Sequence, residues 1–243
     1  MAENKFTLNS VANANTVGYN GKMSVFDIMS VFQFAVTLHT EQMGVGFNSV
    51  MQNHGGKWII SRVRFEIDYY PQNAEQICVE TWPLKPSAVR FGRCFLLNGE
   101  KGVSARAISD WCIIDAKTNM PLRSKNIPIS IDTYIEDKCV VNGYSLFNAE
   151  VCEDDLVYSK QIRISDLDLN GHVNNVTYIK TALDCFSTSE LESFEIKSFE
   201  MYYHEQCFEG DTLYFYLKAL SDNEFYIEAK KNGNRVFCAT VNK

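Results

Sequence analysis

The sequence repeats itself, and that repeat constrains the fold more than any other feature. Asn20-Gly21-Lys22-Met23-Ser24 can be laid over Asn170-Gly171-His172-Val173-Asn174, and each segment stands directly before an apolar, helix-like run. Phe65-Glu66-Ile67-Asp68-Tyr69 can be laid over Phe199-Glu200-Met201-Tyr202-Tyr203. The first match is offset by 150 residues and the second by 134, and the difference of 16 is close to the length of the Gly- and Asn-rich stretch after the first run. That stretch reads as an insertion in the first half. A repeat of this size predicts two copies of one small unit, fused and packed together. The 243 residues allow each copy a core of its own.

Each copy reads as a helix followed by strands. Ser24 is an N-cap with Asp27 as a capping-box acid, and a buried helix is expected from there to about Met43. Residues 44–57 are rich in Gly and Asn and read as a mobile loop. Strand signals cover 58–67, 77–82, 91–97 and 105–114, with a hairpin turn at Asn98-Gly99. Residues 115–155 hold turn chemistry and an acidic patch from Glu150 to Asp155. After a strand at 157–164, a second helix to about Ser187 and strands near 194–207, 212–219, 224–231 and 234–241 complete the chain. The expected division is a half of residues 1–135, a linker of 136–155 and a half of 156–243. Helices followed by antiparallel strands make the class α+β.

Composition narrows the function. A net charge of −7 argues against nucleic acid along a broad face. The eight cysteines include no C-x-x-C pair, so neither a zinc site nor another metal or cofactor is expected. No apolar run reaches membrane-spanning length, and no signal peptide is visible at the start. A reduced, cytoplasmic protein whose cysteines mostly fill the core is the expectation.

Chemistry concentrates in one stretch, Asp166-Leu167-Asp168-Leu169-Asn170-Gly171-His172-Val173-Asn174-Asn175. Asp168, Asn170 and His172 alternate, so on an extended run their side chains share a face; Asp166 shares it too. An imidazole suits proton transfer near neutral pH. A carboxylate can activate water or fix the imidazole, and an amide can position the reactants. Asn174 reads as an N-cap, with the N–H groups of Asn175 and Val176 as oxyanion donors. The first copy has Gly18 and Lys22 where the second has Asp168 and His172, which predicts one active half and one shaping half.

This stretch, with Tyr178-Ile179, resembles the signature of the acyl-ACP thioesterase family, the plant-type and bacterial enzymes with tandem hotdog domains. Supporting matches in the first half are Trp58 with Arg62, Tyr70-Pro71, Glu80-Thr81-Trp82-Pro83, Arg90 with Arg93 and Phe95, and Ser109 with Trp111. The resemblance implies two fused hotdog domains, each a long helix wrapped by an antiparallel sheet. It implies hydrolysis of fatty acyl-[acyl carrier protein], with Asp168, Asn170 and His172 at the catalytic positions. The implied partner is acyl carrier protein with its 4'-phosphopantetheine-linked fatty acyl chain; the protein itself is expected to be a monomer or homodimer. The family usually places a glutamate, in some members followed by cysteine, on the strand after the second helix. Here those positions fall on Gln206 and Cys207, while Glu205 fits only with a one-residue shift that would turn it to the other face of a strand. Gln206, Glu205 and Cys207 thus all stand as candidates for the fourth role. Gln206 can hold water but is no base, and Cys207 is a candidate nucleophile or a core thiol. Arg62, Arg64, Lys85, Arg90 and Arg93 are candidates for a carrier patch or ordinary strand faces. Phe26, Met29, Phe32 and Phe34 are candidates for the lining of an acyl tunnel or for core. Acyl-CoA as substrate, and a non-catalytic acyl- or carrier-binding module, remain as alternatives.

Overall fold

The computed structural model describes residues 4–127, 129, 134–145, 147 and 149–243. The chain divides into two compact units, Met1–Gly143 and Tyr144–Lys243. The division falls inside the segment expected to be a linker, and that segment is docked. Trp82 Nε1 donates to Asp137 O (2.9 Å), and the N–H groups of Val141 and Asn142 donate to the Glu66 carboxylate (2.9 and 3.0 Å).

The first unit contains β1 (Phe6–Val11), α1 (Val25–Gln42), α2 (Phe47–His54), β2 (Gly56–Ile67), β3 (Gln76–Pro83), β4 (Phe91–Gly99) and β5 (Gly102–Asp115). Its strands lie in the order β1-β3-β4-β5-β2, each pair antiparallel. α1 begins as the sequence predicts. Ser24 caps it, and the buried Asp27 accepts from Ser24 N–H (2.8 Å) and Oγ (2.6 Å). The apolar face of α1 lies on the sheet, with Phe32 stacked against Phe65 and Phe95 at 6.0 and 4.8 Å. Met29 and Phe32 are therefore core, while Phe34 is exposed, and these residues do not form a common tunnel lining.

Two expectations are corrected here. Residues 44–57 are no loop, because they contain α2. Gly55 ends α2 in the left-handed conformation (φ 61°), and Val50 is buried in the core with Val45, Phe91 and Ile113. Tertiary burial overrides weak helix propensity. The hairpin after β4 exists, but its tip is Glu100-Lys101. Asn98 still pairs with Val103, and Gly102 takes the positive φ (96°).

The second unit contains β6 (Leu156–Gln161), α3 (Asn175–Leu183), α4 (Thr188–Ser193), β7 (Ser198–Tyr203), β8 (Thr212–Ala219), β9 (Glu224–Lys231) and β10 (Asn234–Asn242). Its strand order is β7-β10-β9-β8-β6, antiparallel throughout. Numbered within its own copy, each unit therefore has the same topology. The helices differ: α1 has 18 residues and α3 only 9, so much of the offset between copies lies in the helix rather than in a loop after it. α3 stops before Ser187 because Ser187 starts another helix. Its hydroxyl caps Glu190 N–H, and Glu190 accepts from Ser187 N–H (2.7 Å), a capping box for α4. β7 ends at Tyr203 rather than near 207. The N–H groups of His204 and Glu205 both reach Val236 O (2.9 and 3.3 Å), which breaks the ladder.

Candidate active site

Residues 166–174 are not extended. Leu167 pairs with Val173 in an isolated bridge, and the chain between them folds into a tight turn. Asp168 N–H donates to His172 O (2.8 Å), Gly171 N–H donates to Asp168 O (3.0 Å), and Gly171 supplies the positive φ (71°) that this closure requires. The alternation argument for a shared face therefore fails, and one short turn carries the three residues instead. Val173 N–H donates to Cys207 O (2.9 Å), which fastens the turn to the segment after β7.

The first unit builds the same turn. Gly18 N–H donates to Lys22 O (2.8 Å), Gly21 N–H donates to Gly18 O (3.0 Å) with φ 72°, and Met23 N–H donates to Pro71 O (2.8 Å). What differs is the side chain that holds it. In the first unit Asn20 Oδ1 accepts from Lys22 N–H (3.0 Å). In the second, Asp168 Oδ1 takes over that work, accepting from Asn170 N–H (2.8 Å) and His172 N–H (3.3 Å). The Asn170 amide is thereby released, and among the described residues its side chain has no hydrogen-bond partner. Asp168 Oδ2 is likewise left for another donor. Asp168 holds the backbone of His172, whose ring lies edge-on against Phe208, centroids 5.0 Å apart. Asp168, Asn170 and His172 are each partly exposed, whereas Asp166 is buried, paired with Lys160 (3.1 Å) and bonded by Arg163 N–H (2.9 Å). Asp166 thus has a local structural task.

Asn174 caps α3 as expected, accepting from Val176 N–H (2.9 Å). That bond occupies one of the two N–H groups expected to face an oxyanion. The N–H of Asn175, next to the cap, remains at the positive end of the helix.

The segment after β7 carries the three candidates for the fourth role. Glu205 forms an ion pair with Lys231 (3.0 Å), and Lys231 also reaches Asp211 Oδ2 and Gln206 O, both at 3.3 Å. With no strand at 205–206, the argument from alternating faces does not apply. Gln206 is partly exposed. Cys207 is fully buried, and burial pushes its thiol above the ordinary range, with Asp211 and Glu205 adding to the rise against Tyr178 and Lys231. It is a protonated thiol at neutral pH. Sequence reasoning assigned no role to Lys231 or Phe208, and an isolated strand lysine gives no signal of one. Tyr178, noted only within the signature, is 3% exposed, stacked on Phe237 at 5.3 Å, and its hydroxyl has no hydrogen-bond partner of normal geometry. The Cys207 thiol lies near enough to raise the phenol's pKa further than burial already does.

In the first unit Arg64 and Arg93 are buried, so neither belongs to a surface patch; Lys85 and Arg90 are exposed. None of the described helices is long and apolar enough to cross a membrane.

Known proteins resemble this chain along most of its length. Residues 3–127 match the acyl-ACP thioesterase N-terminal domain and residues 150–235 the C-terminal domain. Oleoyl-acyl carrier protein thioesterase 2, chloroplastic, of Arabidopsis thaliana is 26% identical over 220 residues, covering 80% of this chain and 58% of its own. The chain spans roughly half the length of the curated plant relatives it matches. An acyl-ACP thioesterase from Bacteroides thetaiotaomicron VPI-5482 superposes with a TM-score of 0.88 at 28% identity, over 98% of this chain and 97% of that one. The 12:0-ACP thioesterase from Umbellularia californica shares the fold, with a TM-score of 0.89 at 20% identity over 100% and 98% of the two chains. Both units are of hotdog type, and the chain belongs to the acyl-ACP thioesterase family.

Proposed function

We propose that this protein hydrolyses the thioester of fatty acyl-[acyl carrier protein] and releases the free fatty acid. Family membership supports the reaction class, and one observation carries the site. Asp168 replaces the asparagine as anchor of the turn, which frees the Asn170 amide in the same turn that carries His172, and the first unit has no equivalent of this set.

In this reading water attacks the thioester carbonyl. Asp168 Oδ2 and His172 take its proton and return one to the departing phosphopantetheine thiolate. The Asn170 amide orients the attack, and Asn175 N–H at the front of α3 stabilises the oxyanion. Cys207 takes no covalent part: its thiol is buried and protonated. Gln206 lies beside the site and is assigned at most the holding of water, because an amide does not accept a proton at neutral pH. The proposed partner is an acyl carrier protein with its 4'-phosphopantetheine arm, and the proposed setting is a reducing compartment such as the cytoplasm. A monomer or a homodimer is compatible with this chemistry.

Mass spectrometry of products from a panel of acyl-ACPs, each matched to its acyl-CoA, tests the reading. Free acid from acyl-ACP at a higher rate than from acyl-CoA is expected, with a loss of about 100-fold or more in His172→Ala. Full turnover in that variant, or no free acid from any acyl-ACP, would overturn the assignment.

A further inference from the structure

Residues 204–211 join β7 to β8 and carry Gln206, Cys207 and Phe208. Backbone bonds tie the two ends. The N–H groups of His204 and Glu205 reach Val236 O, while Gly210 N–H donates to Ile162 O (3.0 Å) and Ile162 N–H to Asp211 O (2.8 Å). Lys231, the last residue of β9, gathers the middle. Its Nζ lies 3.0 Å from Glu205 Oε1 and 3.3 Å from both Gln206 O and Asp211 Oδ2. The same Asp211 oxygen accepts from Phe208 N–H (2.9 Å). One ammonium thus touches residues 205, 206 and 211, and through the Asp211 carboxylate it reaches 208.

This cluster is unlike an ordinary surface ion pair. The Lys231 side chain is only 14% exposed, against 50% for Glu205 and 27% for Asp211. Exposed pairs contribute little, because water screens them and their side chains move. A largely buried ammonium keeps its acceptors, because losing them leaves the charge uncompensated. Burial works against the charge on Lys231, but Glu205 foremost, with Cys207 and Asp211, outweighs it and holds the pKa above the usual lysine value. The hold matters most at Phe208. Its side chain is 48% exposed, so burial fixes it only weakly, yet its ring lies edge-on to the His172 ring. Its main chain has to place it, and Asp211 with Lys231 holds that main chain. Gln206 O also stands next to Cys207, whose carbonyl accepts from Val173 N–H, so the same grip bears on the 168–172 turn.

We infer that Lys231 is a positioning residue: it holds the segment after β7 so that Phe208 seats the His172 ring and Cys207 O stays under the turn. Its effect on rate rests on the hydrolytic reading above, whereas its effect on the ring stands on geometry alone. Lys231 touches no reacting atom in this assignment. Without an ammonium between them, Glu205 and Asp211 repel each other and the segment opens.

Lys231→Met and Lys231→Arg are compared with wild type by acyl-ACP hydrolysis and by the NMR signal of the His172 ring. The protein has four histidines, so His172→Gln assigns that signal by its disappearance. In Lys231→Met kcat is expected to fall about 10- to 100-fold, the scale of a reacting group misplaced by a fraction of a bond length, with KM within about threefold. The ring signal is expected to move. Lys231→Arg keeps the cation and is expected to recover most of the rate. Phe208→Ala is expected to lose a similar factor, and the double variant no more than the larger single loss, because both act through one ring. Unchanged kcat or an unmoved ring signal in Lys231→Met overturns the role, as does a loss carried by KM alone or losses that multiply in the double variant. If Lys231→Met does not fold by circular dichroism, Lys231→Gln takes its place under the same outcomes. The two readings fail separately. A wild type that releases no free acid from any acyl-ACP sinks the hydrolysis, and the ring signal still decides whether Lys231 seats His172. An active wild type matched by an equally active Lys231→Met sinks the positioning alone.

Discussion

Asp168 has two tasks in this structure, and a pair of substitutions separates them. Its Oδ1 accepts from Asn170 N–H at 2.8 Å and from His172 N–H at 3.3 Å, both partly buried. Asp168→Ala removes both acceptors. At about 1 kcal/mol net for each bond, the loss is about 2 kcal/mol, a large share of the ~5–15 kcal/mol that holds a domain together. Asp168→Asn keeps an oxygen in the same place, as Asn20 does for the equivalent turn of the first unit, and is expected to cost under ~1 kcal/mol. It nevertheless removes the charge and the basic oxygen. Hydrolysis is therefore expected to fall by roughly 10²- to 10⁴-fold in both variants, the usual worth of a positioned acid or base. Hydrogen exchange at the amides of residues 170 and 172, read by NMR, follows the turn, and circular dichroism follows global unfolding. Exchange should accelerate in Asp168→Ala and stay near wild type in Asp168→Asn. Full turnover in Asp168→Asn refutes the chemical task. Unchanged exchange in Asp168→Ala refutes the structural one.

Two further outcomes follow from the geometry. Cys207→Ala should keep turnover within about threefold of wild type, since the thiol is protonated, and should lose roughly 1 kcal/mol of stability from a fully buried position; a 100-fold loss of activity with an intact fold would restore the covalent route. Glu66 is raised by its burial, but the N–H groups of Val141 and Asn142, the Asn142 amide and Arg64 outweigh this and hold its pKa below 4.5. A depressed carboxylate contributes stability that is fully present above about 4.5 and lost as pH falls through the folded value. Protease sensitivity in the 134–143 segment should therefore rise on acidification below 4.5, and much less so in Glu66→Gln; equal responses in both proteins would disprove the tether.

Where local chemistry dictates local structure, the sequence was legible. Ser24 with Asp27 marked the start of α1, Asn174 marked the start of α3, and strands β8, β9 and β10 fell where alternation put them. Where a distant contact decides, it was not. α2 exists because Val50 finds a core to fill, and no residue within 44–57 announces that core. The turn at 168–172 was read as extended because alternating side chains look alike on a strand and around a closed loop. The bond from Val173 N–H to Cys207 O, which brings the segment after β7 alongside, spans too much sequence to be seen. Arg93 looked like a surface charge because strand periodicity does not tell which face is covered. The chemical residues could be nominated from the sequence, but their division of labour could not. That division depends on which oxygen holds which N–H.

The turn before α1 and the turn before α3 share their backbone bonding almost to the tenth of an ångström, and only the second carries an acid and an imidazole. A side chain placed on Gly18 would meet Asn20 Oδ1 at 3.7 Å and Lys22 O at 3.8 Å, ordinary contact distances. The first copy therefore has room for a Cβ at this position without moving the main chain. The two halves of the tandem thus differ in the side chains of this turn and not in its backbone architecture. A handful of substitutions, Gly18 against Asp168 and Lys22 against His172 among them, separates two otherwise matching turns.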